Sequence, residues 1–318
     1  MSPISESPKR DDAPLVASLV LNYGSAKLAG RAVASLRAAR YPRHEILLVD
    51  NGSPDAGAAA GVARDLEVPA LLLERNLGFG GGMNRAAAEA ERRWSPDYFF
   101  LLNDDARVEA DAIDHLVRTA REHAAAMVAP KILIDAPEGE AAASPPVLWS
   151  TGGVLRPRRF SANDRGYGER DLGQYDSTED RPFLSACALL VRAADWRRLG
   201  GFEERFFMYL EDWDFCIRAG RLGLRMTYEP AARVHHLGSV TGGDQYGPLK
   251  SFYRWRNRLL LFDRHAQGLQ RAALFLGFFP CLVARDLYEY ARRGRWSEAA
   301  RAFAGVSDLL RGGRGEWW

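Results

Sequence analysis

Cysteine is scarce in this sequence, and its spacing excludes two kinds of small stabilised domain. The chain of 318 residues has three cysteines, Cys187, Cys216 and Cys281, which lie far apart and form no Cys-x-x-Cys pair. A disulfide framework or a zinc knuckle needs cysteines at closer, regular spacing. The sequence therefore predicts a protein of the reducing cytoplasm.

Long apolar segments are also missing from the chain. Residues 1–14 mix Ser, Pro, Lys, Arg and Asp around no apolar core, so we predict a disordered N-terminal lead and no signal peptide. The most apolar run, 272–284, is interrupted by Gly277 and Pro280 and is shorter than the ~20 residues that a membrane-spanning helix needs. A run of this kind can still lie on a membrane surface.

An excess of positive charge, which marks proteins that coat nucleic acid, is absent too. The 43 Lys and Arg residues nearly balance the 41 Asp and Glu residues, for a net charge of +2. We therefore expect no nucleic-acid partner. The length is sufficient for one large α/β domain or for a catalytic domain with an appendage.

What the chain does contain is an alternation of short apolar runs and helical patterns, which predicts an open α/β sheet. The predicted strands span residues 15–22, 45–50, 70–74, 97–102, 127–134, 183–191 and 225–230. Ligands of such sheets bind beyond the carboxyl ends of the strands. The residues at the ends of the first four strands are therefore candidates for a binding site.

Polar and glycine residues stand at the ends of three of those strands. Asn22 and Tyr23 end the first strand, Asp50 and Asn51 end the second, and the segment 76–84, which has four glycines, follows the third. Glycines permit a close approach of the backbone to a ligand, whereas the alternative is a flexible turn before a helix over 85–93. The position at the sheet edge favours a ligand.

The fourth strand leads into Asn103-Asp104-Asp105. Divalent cations with few protein ligands, such as Mg²⁺ and Mn²⁺, are held by one or two carboxylates plus substrate phosphates. The alternative is that an aspartate here caps the helix that follows. Much later in the chain, His235 and His236 are adjacent to each other. They suit a metal or phosphate loop, although such pairs are more often structural.

Three carboxylates stand among aromatic and aliphatic residues between positions 206 and 218. Glu211, Asp212 and Asp214 must be paired, hydrogen-bonded or directed into a cleft if this segment packs into a fold. Helical spacing places Asp214 next to Arg218 as an ion pair. Asp212, in the first turn, is either a site residue or a charge that complements the helix dipole.

The later parts of the chain leave several alternatives open. The segment 135–182, rich in Gly, Pro, Asp, Ser and Arg, is predicted to be a long loop region and a place for acceptor contacts. Basic and aromatic residues alternate over 250–264, where Arg256 either binds phosphate or lies on a solvated helix face. Helices with interleaved arginines over 265–318 fit a membrane surface and a dimer interface equally.

Together, these stretches resemble the inverting glycosyltransferases of family 2, which are of the GT-A type, and most nearly their bacterial rhamnosyltransferase-like members. The resemblance covers residues 15–264 and implies an α/β fold: the Rossmann-like GT-A arrangement of a mixed, mainly parallel sheet flanked by helices, with a helical C-terminal extension over 265–318. The motifs that carry it are Leu21-Asn22-Tyr23, Val49-Asp50-Asn51-Gly52-Ser53, Asn76-Leu77-Gly78-Phe79, Leu101-Leu102-Asn103-Asp104-Asp105, Glu211-Asp212-x-Asp214, and His235-His236 with Gly238-Ser239.

The resemblance implies a binding role for a set of residues at the sheet edge. Asp50 is expected to contact the pyrimidine base, and Asn103 replaces the first aspartate of the family's Asp-x-Asp motif, as it does in many rhamnosyltransferase-like members. Glu211 and Trp213 are expected to face the acceptor. The full set implied in nucleotide-sugar binding is Asn22, Tyr23, Asp50, Asn51, Asn76, Gly78, Phe79, Gly80, Asn84, Asn103, Asp104 and Arg256.

The same resemblance implies a catalytic base and a metal site. Asp212 is expected to be the base, and Asp105 with His235 or His236 is expected to ligate Mn²⁺ or Mg²⁺. An acceptor hydroxyl is a poor nucleophile near neutral pH, so a carboxylate within reach assists by taking its proton. A divalent ion stabilises the charge on the departing nucleoside diphosphate.

The implied function is metal-dependent, inverting transfer of a sugar, such as rhamnose from dTDP-rhamnose, to a glycan or lipid-linked acceptor in bacterial cell-envelope polysaccharide synthesis. The donor would be a dTDP- or UDP-sugar. One alternative is a sugar nucleotidyltransferase, whose usual glycine-rich phosphate loop with a basic residue is missing after the first strand. The other is a non-catalytic, membrane-associated sugar-binding protein.

The expected location is the cytoplasm, with peripheral attachment to the inner face of the membrane. Four apolar side chains beside many arginines motivate that attachment: Leu274, Phe275, Phe278 and Phe279. If they do not bind a membrane, a homodimer interface is the alternative.

Overall fold

The computed structural model of the protein describes residues 13–136, 143–156, 161–237 and 247–316. Residues 1–12 of the lead predicted over 1–14, and the motif residues Gly238-Ser239, lie outside the described residues, so the expectations for them stay predictions. Ala13, near the end of that lead, is buried at 1% exposed, so the predicted disorder is wrong for it.

The described strands form one large sheet and one separate hairpin. The sheet has ten strands in the order β10-β12-β6-β11-β4-β1-β2-β3, with β5 paired to β12 and β7 to β6, and the hairpin pairs β8 with β9. The bounds are β1 Val16–Asn22, β2 His44–Asp50, β3 Ala70–Leu72, β4 Tyr98–Asn103, β5 Ala106–Val108, β6 Met127–Ile134, β7 Leu148–Ser150, β8 Gly153–Arg156, β9 Ser161–Asp164, β10 Glu179–Asp180, β11 Ala188–Arg192 and β12 Met226–His236.

Helices cover both faces of the sheet and continue beyond it. Their bounds are α1 Ala26–Arg37, α2 Ala56–Asp65, α3 Gly78–Trp94, α4 Ala112–Glu122, α5 Ala193–Leu199, α6 Glu211–Arg221, α7 Pro248–His265, α8 Gly268–Ala273, α9 Phe279–Arg292 and α10 Trp296–Leu310. A 3₁₀ turn, Glu204–Phe206, precedes α6, and a π-helical turn, Leu274–Phe278, joins α8 to α9.

The central strands are apolar throughout because each face of the sheet is buried. Side chains alternate along β1, so Val16 and Val20 pack with α1 and α4, while Leu19 and Leu21 pack with α3, α5 and α6 on the opposite face. The prediction of an α/β fold with a mixed, mainly parallel sheet flanked by helices is therefore confirmed.

Parallel pairing brings the predicted loops to one edge of the sheet. In the register of β1 with β2, Asn22 lies opposite Asp50. In the register of β1 with β4, Leu21 lies opposite Asn103. The carboxyl ends of these three strands therefore meet, as the sequence rule for open α/β sheets predicts.

The glycine-rich segment is a helix and not the ligand loop that we predicted over 76–84. α3 begins at Gly78, seven positions before the predicted start at Arg85. A Cβ on Gly82 would lie 2.7 Å from the Leu21 side chain, and one on Gly80 would lie 3.1 Å from Phe202. These glycines let α3 pack closely on its neighbours, and the predicted ligand contact of Gly80 stays a prediction.

Gly78, the first residue of α3, is a glycine because of its backbone conformation as well as its close packing. It has φ +73°, and a Cβ there would lie 2.2 Å from the Phe207 carbonyl oxygen. The amide of Phe79 donates to that same oxygen at 2.6 Å. The start of α3 is thus attached to the segment that leads into α6.

The C-terminal helices differ at one residue from the membrane-facing arrangement that we predicted. Leu274 is 2% exposed, so its assignment to a membrane surface is wrong, whereas Phe275, Phe278 and Phe279 are only partly buried against the same apolar cluster, which includes Phe262. For these three phenylalanines the membrane contact stays a prediction. Among the exposed leucines of these helices are Leu269, at 92%, Leu276, at 81%, and Leu310, at 79%. In the described part of the chain, every helix is too short or too polar to cross a membrane.

Candidate active site

Asp50 holds together the loops that follow β1 and β2. Its Oδ1 accepts from Nδ2 of Asn22 at 2.7 Å and from Oγ of Ser53 at 2.5 Å, and its Oδ2 accepts from the Ser53 amide at 2.9 Å. Asp50 is 0% exposed. The expected direct contact with a pyrimidine base is therefore not supported, because every approach to this carboxylate is covered by protein.

Asn51 and Asn76 shape the start of α3. Nδ2 of Asn51 donates to Oδ1 of Asn76 and to the Gly78 carbonyl, both at 3.0 Å, and Oδ1 of Asn51 accepts from the Leu77 amide at 3.0 Å. Oδ1 of Asn76 also accepts from the Gly78 amide at 2.8 Å. Both asparagines are buried, so they position the helix and its positive-φ glycine.

Asn84, further along α3, has a related task. Its Nδ2 donates to the Phe202 carbonyl and to Oε1 of Glu204, both at 3.0 Å, and its Oδ1 accepts from the Phe202 amide at 2.9 Å. These bonds attach α3 to the segment before α6. Asn84 was expected to bind the donor, but in this structure its side chain anchors α3 to the segment before α6.

The loop after β4 carries an acidic corner. The Tyr23 amide donates to Oδ2 of Asp104 at 3.4 Å, which joins this loop to the end of β1. Burial and the charge of Asp105 raise the pKa of Asp104 to about 7. Oδ1 of Asn103 is buried with no hydrogen-bond partner among the described residues, so the corner presents unsatisfied oxygen atoms.

His236 meets Asp105 at this corner, and His235 does not. Nε2 of His236 lies 3.0 Å from Oδ1 of Asp105, with 5% and 9% of the two side chains exposed. Nε2 of His235 lies 2.9 Å from Oε1 of Glu109 instead, because successive side chains of β12 point to opposite sides. The structure thereby favours His236 over His235 as a metal ligand.

The pair formed by Asp105 and His236 fits part of a coordination sphere. Despite the 3.0 Å approach of Nε2, Oδ1 of Asp105 accepts no well-directed hydrogen bond among the described residues, and Nδ1 of His236 is likewise buried without one. Neighbouring ligands of an octahedral ion with bonds of ~2.1 Å lie about 3 Å apart. Within the described ranges, three or more His, Cys, Asp or Glu side chains are nowhere grouped to hold a metal, so further ligands would come from phosphate oxygens or water.

Asp212 and Asp214, two positions apart in α6, have opposite electrostatic surroundings. Burial and the negative charge of Asp164 raise the pKa of Asp212 to about 7. Burial also disfavours the charge of Asp214, but bonds from His265, Arg218 and Arg264 lower its pKa to about 2. Two carboxyls separated in this way are suited to different tasks, one to proton transfer and the other to structure.

The contacts of Asp214 confirm its predicted ion pair and extend it. Nε of Arg218 lies 2.7 Å from Oδ2 of Asp214, while Nε of Arg264 and Nε2 of His265 each lie 2.8 Å from Oδ1. Asp214 is 0% exposed. This network fixes α6 against α7, and Asp212 lies outside it.

Glu211 and Trp213 flank Asp212. Oε2 of Glu211 is buried without a hydrogen-bond partner in the described part of the chain, and burial followed by the charge of Asp212 raises the pKa of Glu211 well above its usual value. The ring of Trp213 packs edge-on against Phe183 at 5.9 Å between centroids. The guanidinium of Arg258 lies 5.2 Å from the Trp213 ring centre.

Asp164 is a site residue that sequence reasoning missed. Its Oδ1 accepts from Oγ of Ser150 at 2.7 Å. Burial raises the pKa of Asp164, and the bond from Ser150 and the positive charge of His236 oppose that rise only in part. The negative charge of Asp164 in turn raises the pKa of Asp212. The only signal in the sequence was the composition of 135–182.

Further contacts bring Asp212 near the loop after β4. The Ala186 amide lies 3.5 Å from Oδ2 of Asp212, and the carbonyl of the next residue, Cys187, accepts from the Asn103 amide at 2.9 Å.

Arg256, which we predicted to bind the diphosphate of the donor, is enclosed by protein groups. It is 0% exposed, its Nε donates to Oδ2 of Asp308 at 2.7 Å, and its Nη2 donates to the Gly313 carbonyl at 2.9 Å. A guanidinium enclosed by protein groups is not open to a diphosphate. The prediction that Arg256 binds phosphate is therefore corrected.

Comparison with known proteins agrees with this arrangement. A model of glycosyl transferase family 2 matches residues 19–163. The N-acetylglucosaminyl-diphospho-decaprenol L-rhamnosyltransferase of Mycobacterium tuberculosis (strain H37Rv) is 34% identical over 278 residues, which cover 83% of this chain and 88% of that protein. The rhamnosyltransferase WbbL of Escherichia coli (strain K12) is 44% identical over 86 residues, 24% of this chain and 33% of that protein.

Solved structures share the fold at low sequence identity. GalNAc-T7 with UDP, GalNAc and Mn²⁺ has a TM-score of 0.60 at 13% identity, covering 80% of this chain and 48% of that one, so this chain spans about half its length. A mannosyltransferase from Pyrobaculum calidifontis with GDP-Man and Mn²⁺ has a TM-score of 0.54 at 15% identity, covering 97% and 90%. These likenesses show the GT-A fold.

The identity to the mycobacterial enzyme extends over most of both chains, and the matched family model includes the sheet-edge loops after β1, β2 and β4. These findings favour a glycosyltransferase over the sugar nucleotidyltransferase and the non-catalytic binding protein. The chain belongs to glycosyl transferase family 2, as a rhamnosyltransferase-like glycosyltransferase with the GT-A fold.

Proposed function

We propose that this enzyme transfers rhamnose from dTDP-rhamnose to a lipid-linked sugar acceptor in envelope polysaccharide synthesis, with inversion at the anomeric carbon and with the help of a divalent metal ion. The observation that carries the proposal is that burial and the charge of Asp164 raise the pKa of Asp212 to about 7. The Ala186 amide lies 3.5 Å from its carboxylate, and the carbonyl of the adjacent Cys187 accepts from the Asn103 amide in the loop that carries Asp105. The name of the mycobacterial relative, an L-rhamnosyltransferase acting on N-acetylglucosaminyl-diphospho-decaprenol, supports the choice of sugar and acceptor.

Asp212 takes the proton of the acceptor hydroxyl as that oxygen attacks the anomeric carbon. A carboxylate with a pKa near the working pH combines a large ionised fraction with useful basicity. The Ala186 amide lies 3.5 Å from Oδ2 of Asp212 and helps to orient the side chain. The attack displaces the nucleoside diphosphate in one step, so the configuration inverts without a sugar-enzyme intermediate.

Asp105 and His236 hold the leaving-group side of the reaction. They are the residues that would bind Mn²⁺ or Mg²⁺, which when bound stabilises the charge that develops on the diphosphate. Asp50, Asn22 and Ser53 keep the loops of the nucleotide edge in place. Glu211, buried beside Asp212, is a candidate to bind a hydroxyl of the acceptor sugar.

A lipid-linked acceptor favours attachment of the enzyme to a membrane surface, and we include that attachment in the proposal. Leu269 and Leu276 are seven positions apart on the continuous helical run from α8 to α9, which places them on one side of it. Both are exposed, as is Tyr288 further along. This face joins the partly buried Phe275, Phe278 and Phe279 as the candidate membrane contact, with a homodimer as the competing use.

The proposal is tested by donor choice and product stereochemistry. A panel of dTDP-, UDP- and GDP-sugars is screened by thermal shift with Mn²⁺, since a ligand that binds the native state raises its apparent stability. We expect the largest shift with dTDP-rhamnose, and NMR of the transfer product should show the anomeric configuration opposite to that of the donor. A retained configuration, or a preference for a UDP- or GDP-sugar, would contradict the corresponding part of the proposal.

A further inference from the structure

The segment that leads into α6 has an unfavourable backbone conformation. Phe207, Tyr209 and Leu210 have φ values of +60°, +70° and +72°. Residues with side chains are strained in such conformations and persist there only where their surroundings hold them. The segment ends immediately before Glu211 and Asp212, so whatever holds it also sets the position of Asp212.

Asn257, in the middle of α7, holds this segment from one side. It is 0% exposed, and its Nδ2 lies 2.9 Å from the Phe206 carbonyl oxygen, 2.7 Å from that of Met208 and 2.8 Å from that of Tyr209. The two hydrogens of one amide nitrogen are thus shared among three carbonyls. On the other side, the Phe79 amide binds the Phe207 carbonyl.

Arg256 supports Asn257 and anchors it to the end of the chain. Nη1 of Arg256 donates at 2.7 Å both to Oδ1 of Asn257 and to the Arg205 carbonyl. Its Nε binds Asp308, whose Oδ2 also accepts from the Gly315 amide at 3.1 Å. Two buried side chains, Arg256 and Asn257, therefore connect the 308–315 segment to the segment before Asp212.

We propose that Asn257, braced by Arg256 and Asp308, is a positioning residue for Asp212. By binding the carbonyls of Phe206, Met208 and Tyr209, Asn257 keeps the segment in the conformation that starts α6 at Glu211. The inference rests on the proposed role of Asp212 as the base. It gives the C-terminal helices a part in catalysis in addition to any surface contact.

The test compares Asn257→Ala with Tyr290→Phe in the full-length protein. Tyr290 donates to Oγ of Ser251 at 2.9 Å in the interior, so its variant also loses a buried hydrogen bond to α7 but leaves the segment before α6 alone. We expect Asn257→Ala to lower kcat by about 100-fold, the effect of a displacement of ~1 Å at a reacting group. Calorimetric binding of dTDP and Mn²⁺ should stay close to wild type, and Tyr290→Phe should keep its kcat.

The apparent pKa of the acid limb in the pH profile of kcat should also move in Asn257→Ala, because the surroundings of Asp212 change. If Asn257→Ala does not fold, Asp308→Asn takes its place and should lower kcat by a smaller factor at unchanged dTDP affinity. Equal losses of kcat in Asn257→Ala and Tyr290→Phe, or an unchanged kcat in the folded test variant, would overturn the inference. Asp212→Asn, assayed in parallel, separates this failure from failure of the base assignment.

Discussion

Nε2 of His236 lies 3.0 Å from Oδ1 of Asp105 in a corner where both side chains are nearly buried. The adjacent His235 contacts Glu109 instead. Two histidines that are indistinguishable by sequence position are thereby separated into one candidate ligand and one residue outside the corner.

We predict that His236→Gln weakens Mn²⁺ binding by at least ~10-fold in the presence of dTDP, since it removes one protein ligand and the atom facing Asp105. The measurement is Mn²⁺ titration followed by electron paramagnetic resonance, which does not depend on turnover. His235→Gln is the matched control and should bind Mn²⁺ as the wild type does. The reverse ranking of the two variants would place the metal on the other side of β12.

The pH dependence of kcat/KM reports on Asp212. The base acts only when ionised, and the pKa of Asp212 is about 7, so activity should rise with pH and level off above about 7. Asp164→Asn removes a negative charge, which makes ionisation of Asp212 easier and moves the acid limb to lower pH. Asp263→Asn, at an exposed ion pair with Arg271, should leave the limb in place. An acid limb that is unmoved in Asp164→Asn would contradict the electrostatic link between the two residues.

Gly78→Ala should destabilise the fold far more than Gly24→Ala. Both glycines have positive φ, but a Cβ on Gly78 would meet the Phe207 carbonyl oxygen at 2.2 Å, whereas one on Gly24 has nothing within 4 Å. Left-handed backbone alone costs about 1–2 kcal/mol, and overpacking adds about 1–3 kcal/mol more. Urea unfolding at equal m-value measures the free energy of unfolding. Equal losses in the two variants would mean that α3 does not approach Phe207 closely.

The exposed leucines of the C-terminal helices allow a test of membrane attachment. The double variant Leu269→Ser with Leu276→Ser should bind vesicles of anionic lipid at least ~10-fold more weakly than the wild type, because buried apolar area drives interfacial binding. Leu172→Ser, at a loop position that is 76% exposed, is the control and should bind normally. If the wild type does not bind the vesicles and instead forms dimers that depend on Leu276, this face is a dimer interface and the membrane prediction is wrong.

The parts of the site that lie at strand ends were accessible to sequence reasoning. The rule that ligands bind beyond the carboxyl ends of parallel strands brought Asn22, Asp50 and Asn103 together, and the registers of β1, β2 and β4 agree. The ion pair of Asp214 and Arg218 followed from helical spacing alone. Local periodicity was sufficient for these features because each depends on neighbouring residues or on one sheet.

The rest depended on contacts between distant parts of the chain. The glycines of α3 disfavour a helix by propensity, but close packing on Leu21 and Phe202 overrides that preference. Arg256 carries the charge of a phosphate ligand, yet Asp308, 52 positions later, binds it in the interior. Asp164 stands in a stretch without periodicity, so only the fold, in which β9 pairs with β8, brings it near enough for its charge to raise the pKa of Asp212.

The central claim is that Asp212 is the base of a sugar transfer, and Asp212→Asn tests it most directly. The amide keeps the shape of the side chain but cannot accept the proton, so steady-state transfer from dTDP-rhamnose to a lipid-linked acceptor should fall by about 10²–10⁴-fold. Calorimetric binding of dTDP with Mn²⁺ should match that of the wild type. Transfer at near wild-type rate by Asp212→Asn would contradict the account.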